Sequence, residues 1–149
     1  MSVTATPSAL DAAPPRPTLA RHLASIPFIY GMLAPMAFLD AMASLYQAVC
    51  FRLWRMPRVD RAAYLKLERR RLPYLTGVQR LNCAYCSYAN GVLAYVREIA
   101  ARTEQYWCPI QHPAPPLAPH ERYEGFLPYG DAIDVPARMQ ALRRAVQHP

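Results

Sequence analysis

The sequence predicts a mostly α-helical fold. It combines a hydrophobic N-terminal helix, transmembrane or membrane-embedded, with a small helical cysteine-containing segment and disordered Pro-rich tails. The first observation is an apolar stretch over residues 26–51 that is long enough to reach across a bilayer. The second is helical spacing of apolar side chains after residue 91. Each element with a recognisable pattern is helical, so a sheet-based fold is not expected.

The two ends of the chain are rich in proline. Of the 16 prolines, four lie in residues 1–20 and five in residues 109–119. Neither stretch has hydrophobic periodicity, which favours extended or disordered chain with polyproline II character. We therefore expect a disordered tail over residues 1–21 and a Pro-rich tail over residues 113–149. A short helix over residues 135–147 is the one element expected in the second tail.

Residues 22–54 are predicted to form a membrane-associated helix. The 24 residues from Phe28 to Phe51 would span roughly 36 Å as a helix, against a hydrocarbon layer of about 30 Å. The alternative is a buried helix, or two short helices broken at Pro35, in a soluble protein. Asp40 favours that alternative, because a carboxylate in mid-bilayer costs about 2.5–3.5 kcal/mol. The arginines that follow the stretch favour the membrane.

The polar residues of this stretch share one helical face. Asp40, Ser44 and Gln47 follow one another at spacings of four and three residues. Polar groups on one side of an apolar helix hydrogen-bond across helix contacts in lipid. The face therefore predicts an intramembrane contact with another transmembrane helix, with a subunit of a membrane complex, or with a second copy. Asp40 itself could be a protonated carboxyl packed in that contact or part of a proton relay.

The positive charge is concentrated directly after the apolar stretch. Residues 52–80 carry nine basic and two acidic side chains, and the rest of the chain is balanced. The bias of basic residues towards the cytoplasm places the C-terminal side there, at a bacterial inner membrane. Membrane lipids are then expected partners, and four arginines are predicted to contact lipid head groups: Arg52, Arg55, Arg58 and Arg61. No nucleic-acid-binding motif accompanies these arginines, which disfavours nucleic acid as a partner.

Three cysteines and one histidine are candidate metal ligands. Cys83, Cys86, Cys108 and His112 have the composition of a zinc site with three thiolates and one imidazole, and each half has ligand-like spacing. Three cysteines could instead contribute to an iron–sulfur cluster. A reducing cytoplasm disfavours disulfides. We expect Asn82 to cap a helix whose first turn holds Cys83 and Cys86.

The spacing raises a geometric objection to this site. As one helix, residues 87–106 would hold the two halves about 30 Å apart. A single site therefore needs either a helix break at the Asn90–Gly91 pair or two antiparallel subunits that share the ligands. Without a metal, the cysteines would be packing residues or a redox pair, although no βαβ context for a thioredoxin-like fold is visible. Glu98 and Arg102 form a favourable pair four residues apart on the same helix.

Residues 80–112, RLNCAYCSYANGVLAYVREIAARTEQYWCPIQH, resemble the signature segment of a family of small bacterial proteins with an N-terminal hydrophobic helix. The similarity extends from about Phe28 to His112. The function of that family is uncharacterised, so the resemblance implies the helical anchor but no reaction.

Catalysis is not indicated by the motifs. No nucleophile triad, phosphate-binding glycine loop or HExxH pattern occurs, and no catalytic residue is predicted. Two function classes follow. One is a membrane-anchored accessory protein with a cytoplasmic metal- or redox-type centre, and the other is a structural subunit or assembly factor of a membrane complex without metal or catalysis.

Overall fold

A computed structural model describes residues 19–149, which are mostly helical and contain no β-strand. The helices are α1 (Leu19–Gly31), α2 (Leu33–Tyr46), α3 (Arg61–Tyr64), α4 (Gly77–Trp107) and α5 (Val135–Gln147). A π-helical turn, Gln47–Phe51, continues α2, and 3₁₀ turns cover Glu68–Arg71 and Glu121–Gly125. The chain divides into two compact units between Met32 and Leu33. The predicted helical class is confirmed.

The apolar stretch is helical throughout, apart from a turn at Met32. Pro35 lies in the first turn of α2, where the missing N–H of proline is tolerated. One helical stretch, Leu23–Phe51, is long and apolar enough to cross a membrane by length and composition alone. Of the predicted N-terminal tail, residues 1–18 lie outside the described residues, and residues 19–21 belong to α1.

The core of the second unit lies where α2, α4 and α5 meet. Phe51 and Tyr95 are completely buried, and Val146 of α5 packs into the same cluster. The other buried members of this cluster are Ala43, Met56, Val59 and Ile99. Burying side chains of this size supplies most of the favourable free energy of folding. The core therefore fixes α2 against α4, which positions the polar side chains of both helices.

Helix α4 begins six residues earlier than the sequence predicts. Thr76 caps it: the Thr76 hydroxyl accepts from the backbone N–H of Gln79 at 3.4 Å, and Gln79 Oε1 accepts from the Thr76 N–H at 2.9 Å. This reciprocal pair satisfies two N–H groups that a helix start leaves without partners. The predicted cap at Asn82 is therefore wrong. Cys83 and Cys86 lie in the second and third turns rather than the first.

Helix α4 passes through the Asn90–Gly91 pair without a break. A Cβ atom at Gly91 would lie 2.9 Å from the carbonyl oxygen of Tyr64 and 3.1 Å from Cα of Leu65. The glycine thus allows the backbone after α3 to approach the helix closely. The close approach of the backbone explains why a glycine is needed at position 91. The turn that the Asn90–Gly91 pair predicts does not occur.

The segment after α4 is packed, so a disordered C-terminal tail is not confirmed. Tyr123, Phe126 and Leu127 are buried. The Leu127 N–H donates to the carbonyl of Pro109 at 2.8 Å, which closes the loop that contains the five prolines of residues 109–119. The predicted short helix over residues 135–147 is observed as α5.

We expect Gly91→Ala to destabilise the fold, because the new methyl group would meet backbone atoms that cannot rotate away. Overpacking of this kind typically costs about 1–3 kcal/mol. Denaturant unfolding followed by circular dichroism measures the effect. The matched control is Gly77→Ala at the start of α4, where a Cβ meets nothing within 4 Å. That variant should be neutral or stabilised by up to about 1 kcal/mol; equal losses at both positions would contradict the close-approach argument.

Candidate functional site

The polar face of α2 meets other parts of the same chain. Arg61 donates to both carboxylate oxygens of Asp40, from Nε to Oδ1 at 2.9 Å and from Nη2 to Oδ2 at 2.6 Å. The Tyr88 hydroxyl donates to Oδ2 at 3.1 Å. The Asp60 side chain accepts from the Ala62 N–H at 3.0 Å and caps α3, which fixes Arg61 as the first residue of that helix. Asp40 therefore joins α2, α3 and α4.

The next turns of α2 continue this contact. The hydroxyls of Ser44 and Tyr95 lie 3.3 Å apart, and Gln47 Nε2 donates to the same Tyr95 hydroxyl. Gln47 Oε1 accepts from the Val59 N–H at 3.0 Å, and Gln47 Nε2 donates to the Val59 carbonyl at 3.4 Å. Because Tyr95 is fully buried, these bonds satisfy a hydroxyl that would otherwise be stranded in the core. We call the contacts of Asp40, Ser44 and Gln47 the polar seam.

The seam accounts for the three residues predicted as an intramembrane partner contact. They do lie on one contact face, and the helix that they meet is α4 of the same chain. The sequence could not identify this partner, because α4 carries charged residues and does not read as a membrane helix. Contact of these residues with a separate transmembrane helix, or with a second copy, stays a prediction.

The four arginines predicted to contact lipid differ in their surroundings. Arg61 is engaged by Asp40, which gives that guanidinium a role within the chain. Arg52, at the end of the π-helical turn, and Arg55 and Arg58, in the chain that follows it, are exposed. These three are available to head groups, and their lipid contact stays a prediction.

The structure does not bring the four predicted metal ligands together. One continuous helix joins Cys86 to Cys108, which places their backbones about 33 Å apart. Across residues 19–149, no group of three or more His, Cys, Asp or Glu side chains could hold a metal ion. The four cysteines are free thiols, and the His112 ring stacks on Tyr123. The single-site arrangement within one chain fails because the helix break it requires is absent; sharing between two chains is not tested.

A charged cluster at the middle of α4 was only partly foreseen. The predicted Glu98–Arg102 pair forms, with Arg102 Nε donating to Glu98 Oε1 at 2.7 Å. Arg122 Nη2 donates to the same oxygen at 2.9 Å. Arg102 also donates to the Pro57 carbonyl at 2.9 Å. Arg102 thus ties α4 to the loop before α3, and Glu98 ties α4 to the second 3₁₀ turn. No spacing in the sequence predicts Arg122 as a partner of Glu98.

His120 and Glu104 form a second pair beside this cluster. The His120 Nε2 lies 2.9 Å from Glu104 Oε2, while Nδ1 is buried without a hydrogen-bond partner among the described residues. Next to them is a cavity of about 250 Å³, lined by Tyr64, Ala94, Arg97, Glu98, His120 and Glu121. No serine, cysteine or lysine lines it, so the usual serine, thiol and amine nucleophiles are absent from its wall. The cluster fits best as a set of cross-links between α4 and the C-terminal segment.

The pKa of Glu98 lies below its ordinary value of 4.5. Burial raises it, but the hydrogen bonds from Arg102 and Arg122, and their charges, favour the carboxylate more strongly. A group with a lowered pKa stabilises the folded state fully above its unfolded pKa. That stabilisation is lost as the pH falls through the lower, folded value.

We expect Asp40→Asn and Arg61→Gln to destabilise the second unit and to do so non-additively. Either change removes one partner of a two-point ion pair, in which the Asp40 side chain is only 10 % exposed and Arg61 is 46 % exposed. A double-mutant cycle measured by denaturant unfolding should give a coupling free energy of about 1 kcal/mol or more. Strict additivity would show that the two charges do not support each other in solution.

We also expect Glu98→Gln to change how stability depends on pH. At neutral pH the variant should be less stable than the wild type, because both arginines lose a charged acceptor. As the pH falls below about 4.5, the wild type should lose the stability that the ionised Glu98 provides, whereas the variant, which has no carboxylate at this position, should not show that loss. Thermal unfolding midpoints across this range measure the difference. Glu124→Gln, at an exposed carboxylate, is the control, and a Glu98→Gln profile parallel to the wild type would rule out the assignment.

Comparisons with known proteins gave no match to a family model, to a curated protein or to a solved structure. The resemblance of residues 80–112 to a bacterial family therefore stays a prediction, and function has to be argued from the site itself.

Proposed function

We propose that this protein is a membrane-associated structural subunit or assembly factor, held against lipid by the outer face of α2. The observation that carries the proposal is the inverted polarity of this helix. Its polar side chains face α4, whereas Phe38, Met42, Leu45 and Val49 are between 47 % and 68 % exposed. Their spacings of four, three and four residues place them on the face opposite Asp40 and Gln47. A helix on a water-soluble domain normally has the reverse arrangement.

An exposed apolar face of this size marks a contact with lipid or protein. Lipid is favoured because polar groups satisfied inside and apolar groups outside are the arrangement that a hydrocarbon environment requires. The polar seam leaves α2 with no unsatisfied side chain to carry into an apolar phase: Asp40, Ser44 and Gln47 all have partners.

The ion pair limits how α2 meets the membrane. Nearly half of the Arg61 side chain is exposed, and a guanidinium open to hydrocarbon would be costly. Water must therefore reach α2 on its α3 side at the level of Asp40. We propose that residues 40–51 contact lipid on one side, as an interfacial or re-entrant helix, with α4 on the aqueous side.

The proposed membrane is the bacterial inner membrane, with α4 on the cytoplasmic side. Support comes from Arg52, Arg55 and Arg58, which are exposed immediately after the π-helical turn. Basic residues that flank an apolar segment are retained on the cytoplasmic side.

A metal- or redox-type accessory protein is the second candidate. It draws on Cys86 and Cys108, which are both exposed, and on Cys83 one turn before Cys86. Because one chain holds these groups far apart, such a centre needs ligands from two chains. Metal bound in proportion to dimer would support it.

We expect Leu45→Glu to weaken binding to neutral phosphatidylcholine vesicles, because a charge would replace an apolar side chain on the lipid-facing side. Burial of one leucine in an apolar phase is worth about 1.5–3 kcal/mol, which corresponds to a loss of roughly tenfold or more. Vesicle flotation measures the binding. The control is Leu93→Glu, the same change at a leucine of α4 that is 48 % exposed.

Two results would contradict the proposal. One is equal behaviour of the two variants in flotation. The other is wild-type protein that stays with the aqueous fraction in every vesicle preparation, since the apolar face of α2 would then cover some other surface.

A further inference from the structure

We propose that a recess between the first 3₁₀ turn, Glu68–Arg71, and the beginning of α4 binds the phosphate of an anionic phospholipid. This inference deepens the membrane role and rests on the function proposed above. It names a site on different arginines from the four that the sequence indicated.

The recess is formed by two neighbouring elements. Its volume is about 660 Å³, and it is lined by Arg70, Arg71, Arg80, Leu81 and Ala84. Arg70 and Arg71 come from the 3₁₀ turn, and Arg80 lies in the first turn of α4. Arg80 and Ala84 are four residues apart and so share one face of the helix. Three guanidinium groups therefore surround one opening.

The charge of these arginines is not neutralised within the described part of the chain. The side chains of Arg70, Arg71 and Arg80 take part in no ion pair there, whereas Arg61, Arg102 and Arg122 each hold a carboxylate. Guanidinium groups bind phosphate oxygens through paired N–H donors. Three like charges around one recess also repel one another, and a bound anion would relieve that repulsion.

The surroundings of the recess distinguish a lipid from other phosphate compounds. Leu81, which lines the recess, is 57 % exposed, and Tyr74 and Val78, which lie between Arg71 and Arg80 in the sequence, are 75 % and 69 % exposed. A phospholipid carries its phosphate next to acyl chains and so matches cations bordered by apolar side chains. Free phosphate or a nucleic-acid backbone would leave these apolar side chains in water.

The recess also faces the correct side of α4. Leu81 precedes Tyr88 by seven residues, and Tyr95 follows by another seven, so the three share one face. Tyr88 and Tyr95 both bond to α2. The recess is therefore on the α2 side of the helix, the side on which the membrane contact is proposed.

The test compares two triple variants that remove the same charge. In the first, Arg70, Arg71 and Arg80 are each changed to Gln. In the control, three basic residues that do not line the recess are changed to Gln: Lys66, Arg69 and Arg144, all exposed. Binding is measured by flotation with vesicles of phosphatidylcholine alone and of phosphatidylcholine with about one third phosphatidylglycerol. Circular dichroism melts check that both variants fold.

We expect the first triple variant to lose binding to the anionic vesicles by about tenfold or more, with binding to neutral vesicles unchanged. The control should lose much less. Equal losses in the two variants would overturn the site, because the attraction would then come from net charge alone. Wild-type binding that does not increase with phosphatidylglycerol would also overturn it.

Two further arms separate the sources of phosphate. Inorganic phosphate at millimolar concentration should not release the protein from anionic vesicles; release would mean that the recess takes a small free anion. Single-stranded RNA should bind the wild type and the recess variant equally; loss of RNA binding in the variant would reassign the site to nucleic acid. The wider membrane proposal is tested by a different result. If that proposal is wrong, Leu45→Glu should not change binding to neutral vesicles.

Discussion

The hydrogen bonding of Tyr95 and Asp40 across the α2–α4 contact is the constraint on which the rest of the structure depends. Tyr95 lies at the centre of the core with no exposure, and its hydroxyl is satisfied by Ser44 and Gln47 of α2. Asp40 is satisfied in the same contact by Arg61 and Tyr88. Leaving such groups without partners costs about 1–3 kcal/mol each, and more when they are charged. Only one rotation of α2 about its axis brings these three polar residues to α4 together.

The rotation of α2 about its axis also determines which side chains lie on its outer face. Since the polar residues face inward, the apolar ones must face outward, and Phe38 and Leu45 are left open. The same constraint places Arg61 over Asp40, half exposed, and so keeps one side of α2 in contact with water. The proposed membrane contact on one side and the aqueous contact on the other both follow from one set of hydrogen bonds.

Periodicity in the sequence predicted the elements better than local signals did. The spacing of Asp40, Ser44 and Gln47 identified a contact face, and the helix over residues 135–147 is observed, because both depend on the geometry of the helix alone. The prediction of a turn at Asn90–Gly91 is wrong, because Gly91 is needed for a close contact with Tyr64. That contact is long-range, so no local sequence signal indicates it.

The Pro-rich segment shows the same limitation. Proline density suggested disorder, yet Tyr123 and Phe126 supply enough apolar surface to hold the segment on α4. Arg122 in the same turn closes an ion pair with Glu98 across 24 residues. Contacts between residues far apart in the sequence can be identified only in the folded chain. For that reason the sequence predicted the Glu98–Arg102 pair but neither Arg122 nor the recess at Arg80.

The unbroken α4 also changes what the cysteine spacing means. Ligand spacing indicates a metal site only where the chain can fold back between the two halves, and a helix of 31 residues cannot. Cys83 and Cys86 lie in the N-terminal part of α4 and Cys108 is the C-cap at its other end, so each chain offers two incomplete sets of ligands that are far apart along the helix. Two antiparallel copies would place Cys83 and Cys86 of one chain beside Cys108 of the other. Any four-ligand centre built from these residues is therefore also a dimer contact, and its metal affinity must rise with protein concentration.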